Sequence, residues 1–302
     1  MNSSPTSSTS SSKLAGLPHF MIIGAQKCGT TWLHQQLAQH PQVFMPAGKD
    51  DEYFSYLPEK TLDAYREKFT RASAHQQIGD SCASYFWSPR TGDTQPTGFH
   101  PNIPELLERQ LEQQCRYIVL LKDPVQRTLS AYLHHIAHQS LACDTELLAA
   151  PDRLGLLALS RYGHHLEHWL QQIPAERLLI LPAPNRHNAN TLLQRCCQYL
   201  AIDAQFNFSD SEHPVFSGLR RQQDDSGLWV MVGQRGIETI NALQRPVPLM
   251  EQDGQQWLRL VHPQEIQQVR DMLAQDSAHF AHLLQQHGYD SSDFEDWQTW
   301  PG

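Results

Sequence analysis

The chain lacks any apolar run near the roughly 20 residues that a membrane-spanning helix needs. Its best runs, at residues 20–24 and 117–121, are only of strand length. A cationic surplus is missing as well, since 23 Lys and Arg stand against 32 Asp and Glu, a formal net charge of −9. That balance excludes the broad positive field by which proteins hold long nucleic acids or anionic membranes, so any anion site has to be local. The six cysteines, Cys28, Cys82, Cys115, Cys143, Cys196 and Cys197, form no Cys-x-x-Cys pair and no zinc-type spacing with histidine. Scattered through 302 residues they read as reduced, buried thiols, which predicts a reducing, cytoplasmic setting. Histidine is plentiful, with His134, His135 and His138 and then His164, His165 and His168 at helical spacing. Neither group carries a His-Glu-x-x-His pattern, and no metal is expected. No internal repeat is present.

Residues 1–12 are almost entirely Ser, Thr and Pro, without an apolar stretch to act as a signal core, so residues 1–16 are expected to be a disordered leader. Residues 17–302 are expected to form a single domain. Short β-type runs at 20–23, 77–80, 117–121 and 178–181 alternate with helical patterns at 31–40, 125–138 and 162–170. Such alternation predicts an α/β fold, a central parallel sheet flanked by helices. A long final helix is expected over 264–287, with Val269, Leu273, Phe280 and Leu284 on its apolar face. The polar stretch 222–226 interrupts the preceding region.

Gly24-Ala25-Gln26-Lys27-Cys28-Gly29-Thr30-Thr31 joins the first expected strand to the first expected helix. In that position the free amides and the positive end of the helix dipole hold an anion. Two glycines five apart match the opening of a nucleoside-triphosphate loop, yet Thr30 follows the second glycine and the lysine sits two residues before it. A lysine inside the turn reaches an oxygen between two anionic groups, while Thr30 and Thr31 add hydroxyl and amide donors. A second strand, 117–121, runs into Lys122, Asp123 and a Pro124-started helix that carries Arg127 and Ser130. Lys122 and Ser130 supply a charge and a directed hydroxyl for one phosphate.

The run Lys27-Cys28-Gly29-Thr30-Thr31-Trp32 resembles the 5′-phosphosulfate loop of sulfotransferases that use 3′-phosphoadenosine 5′-phosphosulfate (PAPS), and Lys122 to Ser130 resembles their 3′-phosphate motif. Lysine stands at 122 where the family usually has arginine, keeping the charge but losing bidentate geometry. Lys49-Asp50-Asp51-Glu52-Tyr53-Phe54 is similar to the Lys-Glu-x-x-aromatic-Phe segment of the glycan-type members, whose glutamate is the general base. Register then puts Asp50 at the base, with Asp51 and Glu52 as neighbouring alternatives, and Lys49 beside the acceptor. Residues 78–86 resemble the family's Gly-Glu-Lys-Ser-Pro-x-Tyr segment at the acceptor cleft. They place Asp80 and Tyr85 there, or leave Asp80 a structural carboxylate, while Ser81 stands where a lysine binds anionic glycans.

The resemblance runs from Phe20 to Leu200 and more weakly to Trp297. It implies a P-loop-like sulfotransferase fold and metal-free, in-line transfer of a sulfuryl group from PAPS to an acceptor hydroxyl (EC 2.8.2). The acceptor is expected to be a carbohydrate first, with tyrosine, lipid or a small metabolite as alternatives. Within this scheme Lys27 stabilises the leaving oxygen, Gly29, Thr30 and Thr31 fix the 5′-phosphate, and Lys122 and Ser130 hold the 3′-phosphate. Arg220 and Arg221 are placed in a loop closing on it, Trp32 offers a face to adenine, and His135 lines the acceptor cleft. The competing readings are a nucleotide kinase or triphosphatase, which needs a lysine after the second glycine and a magnesium ligand, and a non-catalytic nucleotide-binding module.

Overall fold

The computed structural model describes residues 16–56, 61–111, 114–142, 144–211, 221–231, 249–297 and 299. Nearly all of the expected leader, together with Cys143 and Arg220, lies outside them. Strands β1 (Phe20–Gly24), β2 (Val43–Phe44), β3 (Gln77–Ser81), β4 (Arg116–Leu121) and β5 (Leu178–Pro182) form a parallel sheet in the order β2-β3-β1-β4-β5. β1 is buried at every position and β4 from Tyr117 on, as strands covered by helices on both faces must be.

Helices α1 (Thr30–Leu37), α2 (Leu62–Arg66), α3 (Ile103–Gln110), α4 (Pro124–Ala137), α5 (Tyr162–Leu170) and α6 (Ala189–Leu200) fill the connections. The start of α4 is set locally: Pro124 occupies the first turn, and the Asp123 side chain accepts from the Gln126 amide at 2.8 Å. Four helices fall within a few residues of their expected bounds because proline, capping and apolar spacing are local signals.

A second sheet was not expected. β6 (Arg221–Asp224), β7 (Gly227–Met231), β8 (Leu249–Gln252) and β9 (Gln255–Val261) are antiparallel in the order β6-β7-β9-β8, and α7 (Pro263–Gln286) follows them. The polar stretch 222–226 is β6 and its turn. Its side chains are largely exposed, so no apolar alternation announces it. Val269 and Leu273 of α7 join Leu228, Val230, Leu258 and Leu260 in a core cluster with Val125, Leu129 and Ile136 of α4. Phe280 and Leu284 join instead the larger cluster around the parallel sheet. One face of α4 is thereby anchored on the antiparallel sheet, which leaves another for the site.

Candidate active site

Apart from Arg221 at the start of β6, the segments of the site follow the carboxyl ends of parallel strands. Gln26–Trp32 follow β1, Lys49–Glu52 follow β2, Ala83 and Ser84 follow β3, Lys122 to His138 follow β4, and Ala183 and Pro184 follow β5. They enclose one cavity of about 810 Å³, at the place where strand order runs outward from β1 in both directions. That volume suits a nucleotide together with part of an acceptor.

The β1–α1 loop is shaped by two left-handed residues, Lys27 at φ 71° and Gly29 at φ 100°. Glycine is required at the second, because a Cβ there would stand 2.5 Å from Cδ of Pro184. The turn brings Lys27 and the free amides at the start of α1 to the cavity wall together. Arg127 holds the loop from behind. Wholly buried, it donates from Nε to the Gln26 carbonyl (3.3 Å) and from Nη2 to Oε1 of Gln26 (3.1 Å), while Nη1 serves Gly155 and Leu156 carbonyls and Ser160 Oγ. The sequence offered a basic residue on a helix face at this position, and nothing local marked it as interior.

Four cations line the cavity, Lys49 in an ion pair with Asp50 and three others, Lys27, Lys122 and Arg221. Burial lowers the pKa of Lys27, and the charges of Lys122 and Arg127 lower it further. Burial likewise lowers Lys122, with Arg221 and Arg127 adding to the effect, and burial alone lowers Arg221. Nη1 of Arg221 is buried without a hydrogen-bond partner in the protein. Partly desolvated cations gathered on one cavity, one with an unmatched donor, are chemistry suited to an anion. Ser130 borders it too.

Lys49, Asp50 and Glu52 line the same cavity. Asp50 is engaged on both oxygens: Oδ1 accepts from the Ala83 amide at 2.8 Å and Oδ2 pairs with Lys49. Asp51 is drawn away to Lys68 at 2.7 Å. Glu52 has its pKa raised, first by burial and then by the charge of Asp50, against weaker opposing bonds to Ser84 and Tyr56.

Several expected residues are not brought to this cavity. Asp80 is wholly buried, accepting from Tyr65 Oη at 2.6 Å and pairing with Lys68 at 3.0 Å, so it is a structural carboxylate and not a cleft residue. Tyr85 is equally buried, and its hydroxyl accepts from the Phe54 amide. His135 turns aside to Ser140, with Nδ1 2.9 Å from Oγ, whereas His134 and His138 border the cavity. At 100° per residue they share the Ser130 face of α4 at i+4 and i+8, a spacing visible in the sequence. Trp32 borders the cavity too but is only 5% exposed, and its indole N–H donates to the Ser211 carbonyl. It forms a wall and presents no open stacking face.

Cys28, at the cavity, donates weakly to Tyr162 or accepts from it at 3.7 Å, and burial pushes its thiol pKa up. All five described cysteines are buried and free. Among the described residues, no three His, Cys, Asp or Glu side chains gather as metal ligands do, and no helix is long and apolar enough to cross a membrane.

Comparison with known proteins gives the family and the fold. Membrane-associated sulfotransferase kil1 of Dictyostelium discoideum is 32% identical over 123 residues, covering 40% of this chain and 23% of that protein. Human carbohydrate sulfotransferase 15 is 29% identical over 166 residues, covering 44% of this chain and 30% of that one. The chain thus spans less than a third of the length of these relatives. A solved sulfotransferase from Alicyclobacillus acidocaldarius shares the fold, with a TM-score of 0.59 at 19% identity over 90% of this chain and 96% of that one. The model of the sulfotransferase domain matches residues 17–182, more than half of the 302 residues, and the chain therefore belongs to the sulfotransferase family.

Proposed function

We propose that the protein transfers a sulfuryl group from PAPS to a hydroxyl of a carbohydrate acceptor, without a metal. The observation that carries this reading is the convergence of Lys27, Lys122 and Arg221 with Asp50 and Glu52 on the lining of one cavity. Anion donors and proton acceptors then flank one reaction volume. The unmatched Nη1 of Arg221 and the free amides at the start of α1 supply the donor chemistry that two phosphates need.

In this scheme the amides of Gly29, Thr30 and Thr31 bind the 5′-phosphate. Lys122, Ser130 and Arg221 bind the 3′-phosphate. Lys27 stabilises the charge that grows on the bridging oxygen as the sulfur–oxygen bond breaks, an interaction strongest in the transition state. A carboxylate takes the acceptor's proton as the hydroxyl oxygen attacks sulfur. Register alone points to Asp50, but its oxygens are already committed to Ala83 and Lys49. Glu52, whose pKa is raised by burial and by the Asp50 charge, is the better base, and Asp50 shapes the loop and tunes its neighbour. The carbohydrate acceptor follows the relatives, two of whose names specify carbohydrate and heparan sulfate substrates. A reducing compartment stays part of the proposal on the five buried free thiols.

The test is thermal stability with adenosine 3′,5′-bisphosphate, with ATP plus magnesium, and with neither, followed by transfer from labelled PAPS to neutral and acidic oligosaccharides. A rise in Tm with the bisphosphate alone, and label in a sugar, is expected. A rise only with ATP and magnesium overturns the reading.

A further inference from the structure

Lys27 is not left to solvent in this cavity. Its Nζ stands 3.1 Å from Nδ1 of His134, one helical turn after Ser130 on the same face of α4. The contact joins the β1–α1 loop to a helix 107 positions away, and both partners border the cavity. We propose that His134 is the positioning residue for Lys27, accepting one ammonium hydrogen at Nδ1 and so holding its own ring as the tautomer protonated on Nε2.

The argument is one of donors and acceptors. A lysine ammonium has three hydrogens and no lone pair, so the nitrogen facing it must accept. A histidine that accepts at Nδ1 is neutral and carries its proton on Nε2, where it is a donor. His134 therefore has no free basic nitrogen for an acceptor hydroxyl, which leaves the carboxylates that task. Its surroundings favour the neutral ring. Burial lowers the pKa to about 4, with Lys27, His138 and His135 contributing in that order. The His138 ring at the end of the same helix lies 4.1 Å away centroid to centroid, and the charged group acting on His134 from another element is the Lys27 ammonium.

The consequence for Lys27 is geometric. Its long side chain has four rotatable bonds, and a bond at Nδ1 fixes the ammonium over the cavity with two hydrogens still free for a ligand. Preorganisation of that kind removes a reorganisation step from the reaction. This catalytic consequence rests on the sulfotransferase reading, whereas the contact and the tautomer do not.

The experiment takes the full chain labelled with 15N-histidine and reads ring tautomers by long-range 1H–15N correlation at pH 7. His134 is identified by the signal lost in His134→Asn. The expected result is a neutral ring protonated on Nε2 that changes when Lys27→Met removes the ammonium. A ring protonated on Nδ1, or on both nitrogens, overturns the proposal whether or not sulfuryl transfer is ever detected.

Turnover of labelled PAPS, onto an oligosaccharide or onto water, supplies the second reading. The asparagine side chain in His134→Asn places an amide oxygen near the position of Nδ1, so this variant should keep most of the wild-type turnover. His134→Leu should lower kcat by roughly 10- to 100-fold, with the Tm rise from adenosine 3′,5′-bisphosphate kept in both as the check on folding. Equal losses in the two variants, or none in the leucine variant, also overturn it.

Discussion

Arg127 and Gln26, 101 positions apart, are joined by two hydrogen bonds, from Nε to the glutamine's carbonyl and from Nη2 to its side-chain oxygen. This pairing ties the glycine loop after β1 to the helix after β4, the two segments proposed to bind the phosphates. The cost is a guanidinium with no exposed surface, whose pKa burial lowers.

Replacing Arg127 with Leu strands the carbonyls of Gln26, Gly155 and Leu156. Stability should fall by about 2–5 kcal/mol in urea denaturation, and the Tm rise from adenosine 3′,5′-bisphosphate should shrink with it. A loss under about 1 kcal/mol would show that water replaces the guanidinium freely.

Lys27→Ala should behave in the opposite way. Its pKa is lowered in the folded protein, so the charged lysine opposes folding at pH 7, and its removal should leave the urea midpoint unchanged or raised. Turnover should drop by roughly 10²- to 10⁴-fold, since the ammonium acts on charge that develops in the transition state. Near wild-type turnover would remove Lys27 from the chemistry.

The base is tested by pH. Glu52 has a raised pKa and must be ionised to accept a proton, so kcat/KM should fall on acidification through a limb shifted upward from that of a free carboxylate. Asp50→Asn removes one of the charges that raise it and should move this limb to lower pH. Glu52→Gln should abolish the limb along with most activity. For stability the sign is reversed: a raised folded pKa contributes at low pH and is lost as pH rises through it. Glu52→Gln should therefore raise Tm at pH 7.

Lys68 bridges Asp51 on the site loop and the wholly buried Asp80. Lys68→Met leaves Asp80 an uncompensated charge and should cost about 3–5 kcal/mol. Adding Asp80→Asn should recover more than half of that loss, as a double-mutant cycle by urea denaturation would read. A sum of independent effects would show that the pair is not coupled.

The features of this protein that could be read from its residues alone are those with local causes. The glycine loop between β1 and α1, the Asp123–Pro124 start of α4 and the apolar strands were legible because turn, cap and strand signals act over a few residues. Lys27, Lys122 and Ser130 could be named from such segments, and helical spacing from Ser130 would have led to His134 and His138. Whatever depends on partners far along the chain came from the packing of the whole molecule. Packing buried Arg127 on Gln26, turned Asp80 inward to Lys68, and paired the polar β6 with β7 at the edge of a second sheet. A charged side chain carries no local sign of whether it will meet solvent, an ion pair or a substrate. That depends on which segments the long-range packing sets against it, and here the strand order around β1 set them.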